Sequence, residues 1–309
     1  MKRKEFIKLT AFTGGLLATS GIIKDEALSA LSGSETITAA DLQRFLISLT
    51  DLKSKTVDRI IIGNPETKVK RIGTCWMPYL ETCKKAVEAG VNVLVAHEPT
   101  FYTHWDLDEK QEDYYRSPEF TRKLYIEQVE KKKKWIYDNG LVIIRNHDTL
   151  DALKDVGIPF AFGKFLGFNN SEIIASRTYY NVYKISNQPA ATFAGKIARK
   201  LSEIGQPGVA FYGDPNWPVA SVGVGTGCIC DPMEFADLKP DIFIAIDDVV
   251  RTWTQTAYAS DTGQPLIIIN HGTSEEMGMK MLNQLIKQKF PNIETIHFNQ
   301  GCTYHWITG

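Results

Sequence analysis

From about residue 38 onward, apolar positions alternate between spacings that suit a helix face and uninterrupted runs that suit buried strands. That alternation predicts an α/β fold with mixed sheets flanked by helices. Residues 41–49 place Leu42, Phe45, Leu46 and Leu49 on one helical face. Residues 60–62 and 69–74 read as strands, and 79–89 as a helix stopped by Gly90. A buried strand follows over 91–96. Ser117, Pro118 and Glu119 mark a helix start, Asn139 and Gly140 its stop, and 141–145 the next buried strand. Beyond Asp151 the pattern loosens through Gly157, Pro159, Gly163 and Gly167, which predicts an exposed connection or a change of lobe. Strands are then expected over 180–185, 219–224, 242–246 and 266–269, with a helix over 189–204 closed by Gly205. The last helix, 275–290, turns Met277, Met281, Leu282, Leu285 and Ile286 inward. On this reading, residues 36–165 and 219–309 build a core contributed by both lobes, and 166–218 form a connecting or second-lobe segment.

The first 30 residues are built differently. Lys2, Arg3, Lys4 and Lys8 precede an uncharged, weakly apolar stretch over 9–23, and small residues Ala27, Ser29 and Ala30 follow. This is the tripartite build of a secretory signal. Gly14, Gly15, Ser20 and Gly21 interrupt the stretch, and a spanning helix needs about 20 apolar residues, so removal is expected rather than anchoring. The mature protein would then lie in the periplasm or outside the cell, with no membrane attachment. Arg3 to Lys8 resembles a twin-arginine signal in which Lys4 replaces the second arginine. A basic N-terminus on a cytoplasmic protein is the competing reading.

A chain of 309 residues, 43% hydrophobic, can bury a substantial core. Its 35 basic and 36 acidic side chains leave a net charge of -1, so no overall field draws it to nucleic acid or an anionic membrane. The lysine run 131–134 reads as the solvated face of a helix. A small-molecule partner is therefore expected. The five cysteines are odd in number and lack C-x-x-C spacing, which argues against a disulfide framework or a structural zinc site. Cys228 and Cys230 read as small side chains in a tight backbone region.

Candidate chemistry gathers at strand ends. The strand over 91–96 runs into His97 and Glu98, that over 141–145 into His147 and Asp151, and that over 266–269 into His271 and Glu275. Ligands in open α/β sheets bind beyond the carboxyl ends of the strands, so these side chains share an edge. Imidazole and carboxylate together suit zinc, iron or manganese, and several carboxylates suit a pair of cations. His104 is a further candidate ligand or substrate contact, whereas His297 and His305 have no ligand-like pattern. Trp76, Trp105, Trp217, Trp253 and Trp306 could instead serve a carbohydrate- or peptide-binding surface, but scattered tryptophans more commonly pack in cores and interfaces.

Several of these segments resemble the Nif-three-like dinuclear-metal proteins, also labelled type 2 GTP cyclohydrolases. Residues 86–99, ending in Ala96-His97-Glu98-Pro99, look like that family's strand ending in His-His-Pro. His147-Asp148-Thr149-Leu150-Asp151 is similar to its His-Thr-Asn-Leu-Asp, and residues 221–227 to its glycine-rich strand end. Asn270-His271-Gly272-Thr273-Ser274-Glu275 resembles its Gly-His-x-x-Thr-Glu. The resemblance implies a two-lobed fold with a metal site in the cleft between lobes, and a homo-oligomer, by resemblance a hexamer. It assigns two divalent transition-metal ions (iron, manganese or zinc) to His97, Asp151, His271 and Glu275, with Glu98 standing where the family has a second histidine. Asp247-Asp248 replaces an expected Gly-Glu pair, so no role carries over there. Paired cations that acidify water and polarise an electrophile make the expected function a metal-dependent hydrolase of a phosphorylated or cyclic-amidine small molecule, with a non-catalytic metal-binding or assembly scaffold as the alternative.

Overall fold

A computed structural model describes residues 36–52, 55–107 and 119–307. The export signal expected over residues 1–30, and the helix start expected at Ser117 and Pro118, lie outside the described residues. In chain order the strands are β1 (Ile60–Ile62), β2 (Arg71–Cys75), β3 (Val93–Ala96), β4 (Val142–Arg145), β5 (Ile173–Arg177) and β6 (Tyr180–Pro189). They continue as β7 (Ala210–Tyr212), β8 (Pro218–Val224), β9 (Ile242–Ile246), β10 (Leu266–Ile269) and β11 (Glu294–His297). The α-helices are α1 (Ala39–Ile47), α2 (Leu80–Glu88), α3 (Glu119–Asp138) and α4 (Asp148–Asp151). They continue as α5 (Ile158–Phe165), α6 (Ala190–Ser202), α7 (Ala257–Thr262) and α8 (His271–Lys289).

The strands form two mixed sheets. One has the order β1-β4-β3-β2-β11, parallel except for β1. The other has the order β5-β6-β8-β9-β10-β7, with β8, β9 and β10 parallel. Parallel strands buried on both faces need apolar residues at every position, which is why β3, β9 and β10 read as continuous apolar runs. On one face of the first sheet, Leu42, Phe45 and Leu46 of α1 and Leu282 and Ile286 of α8 pack with Ile72, Val93 and Ile144. Its other face packs Leu94 and Ile143 against Cys83 of α2 and Val129 and Ile136 of α3. The second sheet buries Val222, Ile244 and Ile267 with Phe193, Ile197 and Leu201 of α6. Segments 166–218 and 219–269 thus share one sheet, while α8 and β11 return to the first.

Where pattern and structure differ, local hydrogen bonding explains the shift. Helix α1 starts two residues ahead of the expected apolar face because Thr38 and Asp41 cap it reciprocally. Helix α8 starts at His271 rather than Glu275, because Asn270 takes the N-cap position and the Asp247 carboxylate accepts from the His271 amide at 3.0 Å. The stretch expected to be loose after Asp151 contains α5, with Gly157 at its N-cap and Pro159 in its first turn. Helices α5 and α8 then approach so closely that a Cβ on Gly278 would lie 2.3 Å from Ile158 Cδ1. In the lysine run, Lys131, Lys133 and Lys134 pair with Glu127, Glu130 and Asp138 along α3. Lys132 instead turns inward to donate to the carbonyls of Pro78 and Thr100.

Candidate metal centre

Five strands deliver their carboxyl ends to one place. Strand β3 leads into His97 and Glu98, whose amides are fixed on the Trp76 carbonyl at 3.0 and 2.9 Å. After β4 the chain passes Asn146 and His147 into the short helix α4, which ends at Asp151. The Asp58 carboxylate caps that turn by accepting from the amides of His147, Asp148 and Thr149. Strand β8 ends at Gly225 to Gly227, β9 at Asp247 and Asp248, and β10 opens α8, where His271 and Glu275 lie one turn apart on the same face. All five residues expected from the sequence, His97, Glu98, Asp151, His271 and Glu275, come together here.

Their geometry has a consistent form. His97 Nε2 lies 3.5 Å from Asp151 Oδ1 and 3.3 Å from Glu275 Oε2. His271 Nε2 lies 3.2 Å from Glu98 Oε1 and 3.2 Å from Glu275 Oε1. The Glu275 carboxylate thus turns one oxygen toward each imidazole. His97 Nδ1 lies 3.2 Å from the Asn146 carbonyl and His271 Nδ1 lies 2.7 Å from Asp248 Oδ2, and both partners only accept hydrogen bonds. In the neutral form of each ring the proton therefore sits on Nδ1, which leaves the Nε2 lone pairs facing carboxylate oxygens. His97 Nε2, His271 Nε2 and Asp151 Oδ1 are buried without a hydrogen-bond partner. Acceptors that face acceptors are reconciled by a cation between them, either a metal ion or the second ring proton of an imidazolium. Ligand atoms held about 2.0–2.2 Å from one metal ion lie about 3.0–3.5 Å apart at ordinary coordination angles. The observed separations fall in that interval: Glu98, His271 and Glu275 offer ligand atoms that could hold a metal ion, and His97 and Asp151 stand on the other side of the Glu275 carboxylate.

Further groups hold these side chains in place. The Trp76 indole donates to Glu275 Oε2 at 2.7 Å. Gly227, at φ +70°, lies where a Cβ would come within 2.8 Å of Glu275 Oε1, so the glycine leaves room for the shared carboxylate. Arg145, fully buried, donates from Nε to the His97 carbonyl at 2.9 Å and places NH2 3.5 Å from Glu98 Oε2. Asp247 and Asp248, for which the family pattern offered no role, cap α8 and orient His271.

The electrostatics are those of carboxylates and imidazoles packed together away from water. Burial pushes Asp151 up to about 6, with Glu275 and Glu98 adding to the rise and His97 and His147 opposing it. Burial works against charge on His271, but Glu275 and the hydrogen bond to Asp248 carry its proton affinity well above the ordinary imidazole value. Burial likewise opposes charge on His147, yet Asp151 and Asp148 bring it up to about 9. A carboxyl whose pKa is raised by folding contributes stability fully present below its unfolded value and lost as pH rises through the folded one. Metal-free protein should therefore melt at lower temperature at pH 7 than at pH 5. The contribution of Asp151 should be lost as pH rises through about 6, and that of His147 at higher pH. Asp151→Asn should flatten the dependence between pH 5 and 7, as thermal melts of both proteins at each pH would read. An unchanged slope would mean that Asp151 ionises freely.

Other candidates stand at varying distances from the centre. His147 stacks on His97 with ring centroids 4.4 Å apart and lies 3.5 Å from Asp151 Oδ2, although its Nδ1 pairs with Asp148. His97, Glu98 and His147 offer atoms within 4.8 Å of one another, as do Glu98, His271 and Glu275. Cys228, Asp248 and His271 form another such group. His104 meets His147 edge-on at 5.6 Å and belongs to none of these groups among the described residues. His297, which has no ligand-like sequence pattern, pairs at 2.7 Å with buried Glu276 and at 2.9 Å with Thr74. That contact secures the return of β11. The glycine-rich end of β8 is closely packed, Gly223 against Phe235 and Pro240, and Gly225 against Cys230 and Tyr180. Cys230 is buried beneath it, while Cys228 is exposed.

A family described as Duf34/NIF3 (NGG1p interacting factor 3) matches residues 59–301, a span that contains all five converging residues. Among solved structures, the fold is similar to Staphylococcus aureus hypothetical protein SA1388, with TM-score 0.66 and 19% identity over 87% of this chain and 99% of that one. It is also similar to the Bacillus cereus protein related to NIF3, with TM-score 0.65 and 12% identity over 87% and 99% of the two chains. Reduced HcgD from Methanocaldococcus jannaschii gives TM-score 0.58 and 15% identity over 85% and 98%. No curated protein matches the chain.

Proposed function

The chain belongs to the Duf34/NIF3 family, and from that premise we propose that it is an exported hydrolase using two divalent transition-metal ions on a phosphorylated or cyclic-amidine small molecule. The observation that carries this reading is the pair of buried Nε2 atoms, each turned toward carboxylate oxygens and both flanking Glu275. One position would be held by His97, Asp151 and Glu275, the other by His271, Glu98 and Glu275. Three carboxylates beside two imidazoles make a hard donor set, which favours iron or manganese over zinc. When bound, a pair of ions would polarise a phosphoryl group or a ring-carbon electrophile and make water acidic enough to attack near neutral pH.

The chain's own residues supply rigidity and exclusion. Asn146 and Asp248 fix the imidazole tautomers, so both Nε2 atoms face the centre without rearrangement. Trp76 holds Glu275 by one oxygen and covers it, keeping bulk water from that side. We further propose a homo-oligomer, hexameric by resemblance, and export directed by residues 1–30. The test is a panel of phosphomonoesters, phosphodiesters and nucleotides, assayed with metal-loaded protein and with Asp151→Ala as the blank. Turnover above the blank is expected for at least one member. Fully metal-loaded protein that never exceeds it would replace the hydrolase with a metal-binding scaffold.

A further inference from the structure

Glu98 divides its carboxylate between two environments. Oε1 faces His271 Nε2 at 3.2 Å, while Oε2 faces Arg145 NH2 at 3.5 Å. Arg145 is the last residue of β4, and its guanidinium is wholly buried. A buried guanidinium is costly unless its charge and donors are matched, so its contacts reveal what holds it there. It donates from Nε to the His97 carbonyl at 2.9 Å, and from NH1 to the His104 carbonyl. Its NH1 also lies 3.5 Å from Asp106 Oδ2. One side chain thus touches the backbone of one imidazole ligand, the side chain opposite the other, and the loop that follows them.

That loop is under conformational stress. Tyr102, Asp106 and Leu107 have φ of 58°, 56° and 58°, a region unfavourable for residues with side chains. Such conformations persist where surrounding contacts over-determine them. Asp106 accepts from the amides of Thr100 and Phe101 at 2.6 and 2.9 Å, and Arg145 ties it to the strand end. The stress falls on the segment that immediately follows Glu98.

We propose that Arg145 is the positioning residue of the second metal position: it holds Glu98 by its outer oxygen, so that the inner oxygen alone is presented beside His271. This rests on the metal-centre reading above. A carboxylate free of Arg145 could turn both oxygens to one ion or swing out of reach. The guanidinium also supplies the counter-charge that a glutamate needs at this buried place and that a neutral histidine would not. Arg145 and Glu98 therefore function as a unit, and the effect of changing one depends on the other.

The experiment is a calorimetric manganese(II) titration of metal-free wild type, Arg145→Gln, Glu98→His and the double variant, with circular dichroism confirming each fold. Wild type should take up a pair of ions. Arg145→Gln should keep the first and weaken the second by about 10–100-fold, the usual effect of removing an outer partner of a metal ligand. In the Glu98→His background the same change should weaken the second ion by less than about threefold. Equal weakening in both backgrounds would make Arg145 a general support of the fold and overturn the proposal, as would undiminished second-ion binding in Arg145→Gln. Should Arg145→Gln fail to fold, Arg145→Lys carries the comparison, since it keeps the charge but not the forked contacts. It should still weaken the second ion, and unchanged affinity would overturn the proposal. A wild type that binds no ion would instead defeat the metal centre itself.

Discussion

Glu275→Ala should strip the protein of both metal ions and of any hydrolytic activity. Among the five converging residues, Glu275 alone reaches toward both imidazoles, Oε2 at 3.3 Å from His97 Nε2 and Oε1 at 3.2 Å from His271 Nε2. Removing it deletes a donor from each position at once, and each ion should be lost by at least about 100-fold in affinity, beyond the range typical of outer partners. His271→Ala, in contrast, should empty mainly the position it shares with Glu98. Glu275→Ala also leaves the Trp76 indole without its Glu275 acceptor, a loss of about 1–3 kcal/mol for a buried donor, so circular dichroism must accompany metal analysis. Glu275→Gln keeps an acceptor for Trp76 while removing the charge and one shared oxygen, and it should bind metal nearly as poorly. A folded Glu275→Ala protein that retained both ions would place the metals elsewhere.

Glu98→His should reverse the metal preference. With Glu98 the donors are three carboxylates and two imidazoles, a set whose hardness suits manganese or iron. Histidine at that position would replace an anionic oxygen with a neutral nitrogen, and nitrogen donors favour zinc along the ordinary order of affinities. The ratio of zinc to manganese affinity should rise by about tenfold or more, comparable to other single-ligand effects. Competition between the two metals for one sample of each protein would measure it. An unchanged ratio would mean that Glu98 turns its charge wholly toward Arg145 and takes no part in binding.

How much of this was readable in the sequence depended on distance along the chain. His97 and Glu98 follow an apolar run that could only be a buried strand, and His271 and Glu275 follow another, so the edge they share was legible from strand ends alone. So was Asp151, four residues beyond His147 and close behind β4. The supporting layer was not. Arg145 reads as the polar end of an apolar strand, and nothing local shows that its guanidinium turns back to the His97 carbonyl and Glu98. Asp248 lies 23 residues before the His271 it orients, and Trp76 lies 199 residues before Glu275. Contacts of that separation arise from the sheet order, which local periodicity does not carry. The strands missed, β5, β7 and β11, are short or largely exposed, so they lack the apolar run that revealed the others. His297 passed as unremarkable for the same reason, because its partner Glu276 lies on α8, 21 residues away.

The most direct test of the metal centre is elemental analysis of wild-type protein after loading with manganese, iron or zinc and removal of loosely held metal, with the Glu275→Ala variant treated identically. About two ions per wild-type chain are expected, as a pair sharing one carboxylate requires, with almost none in the variant. Wild-type protein that folds normally yet retains no more metal than Glu275→Ala would contradict the assignment of His97, Glu98, Asp151, His271 and Glu275 to a metal centre.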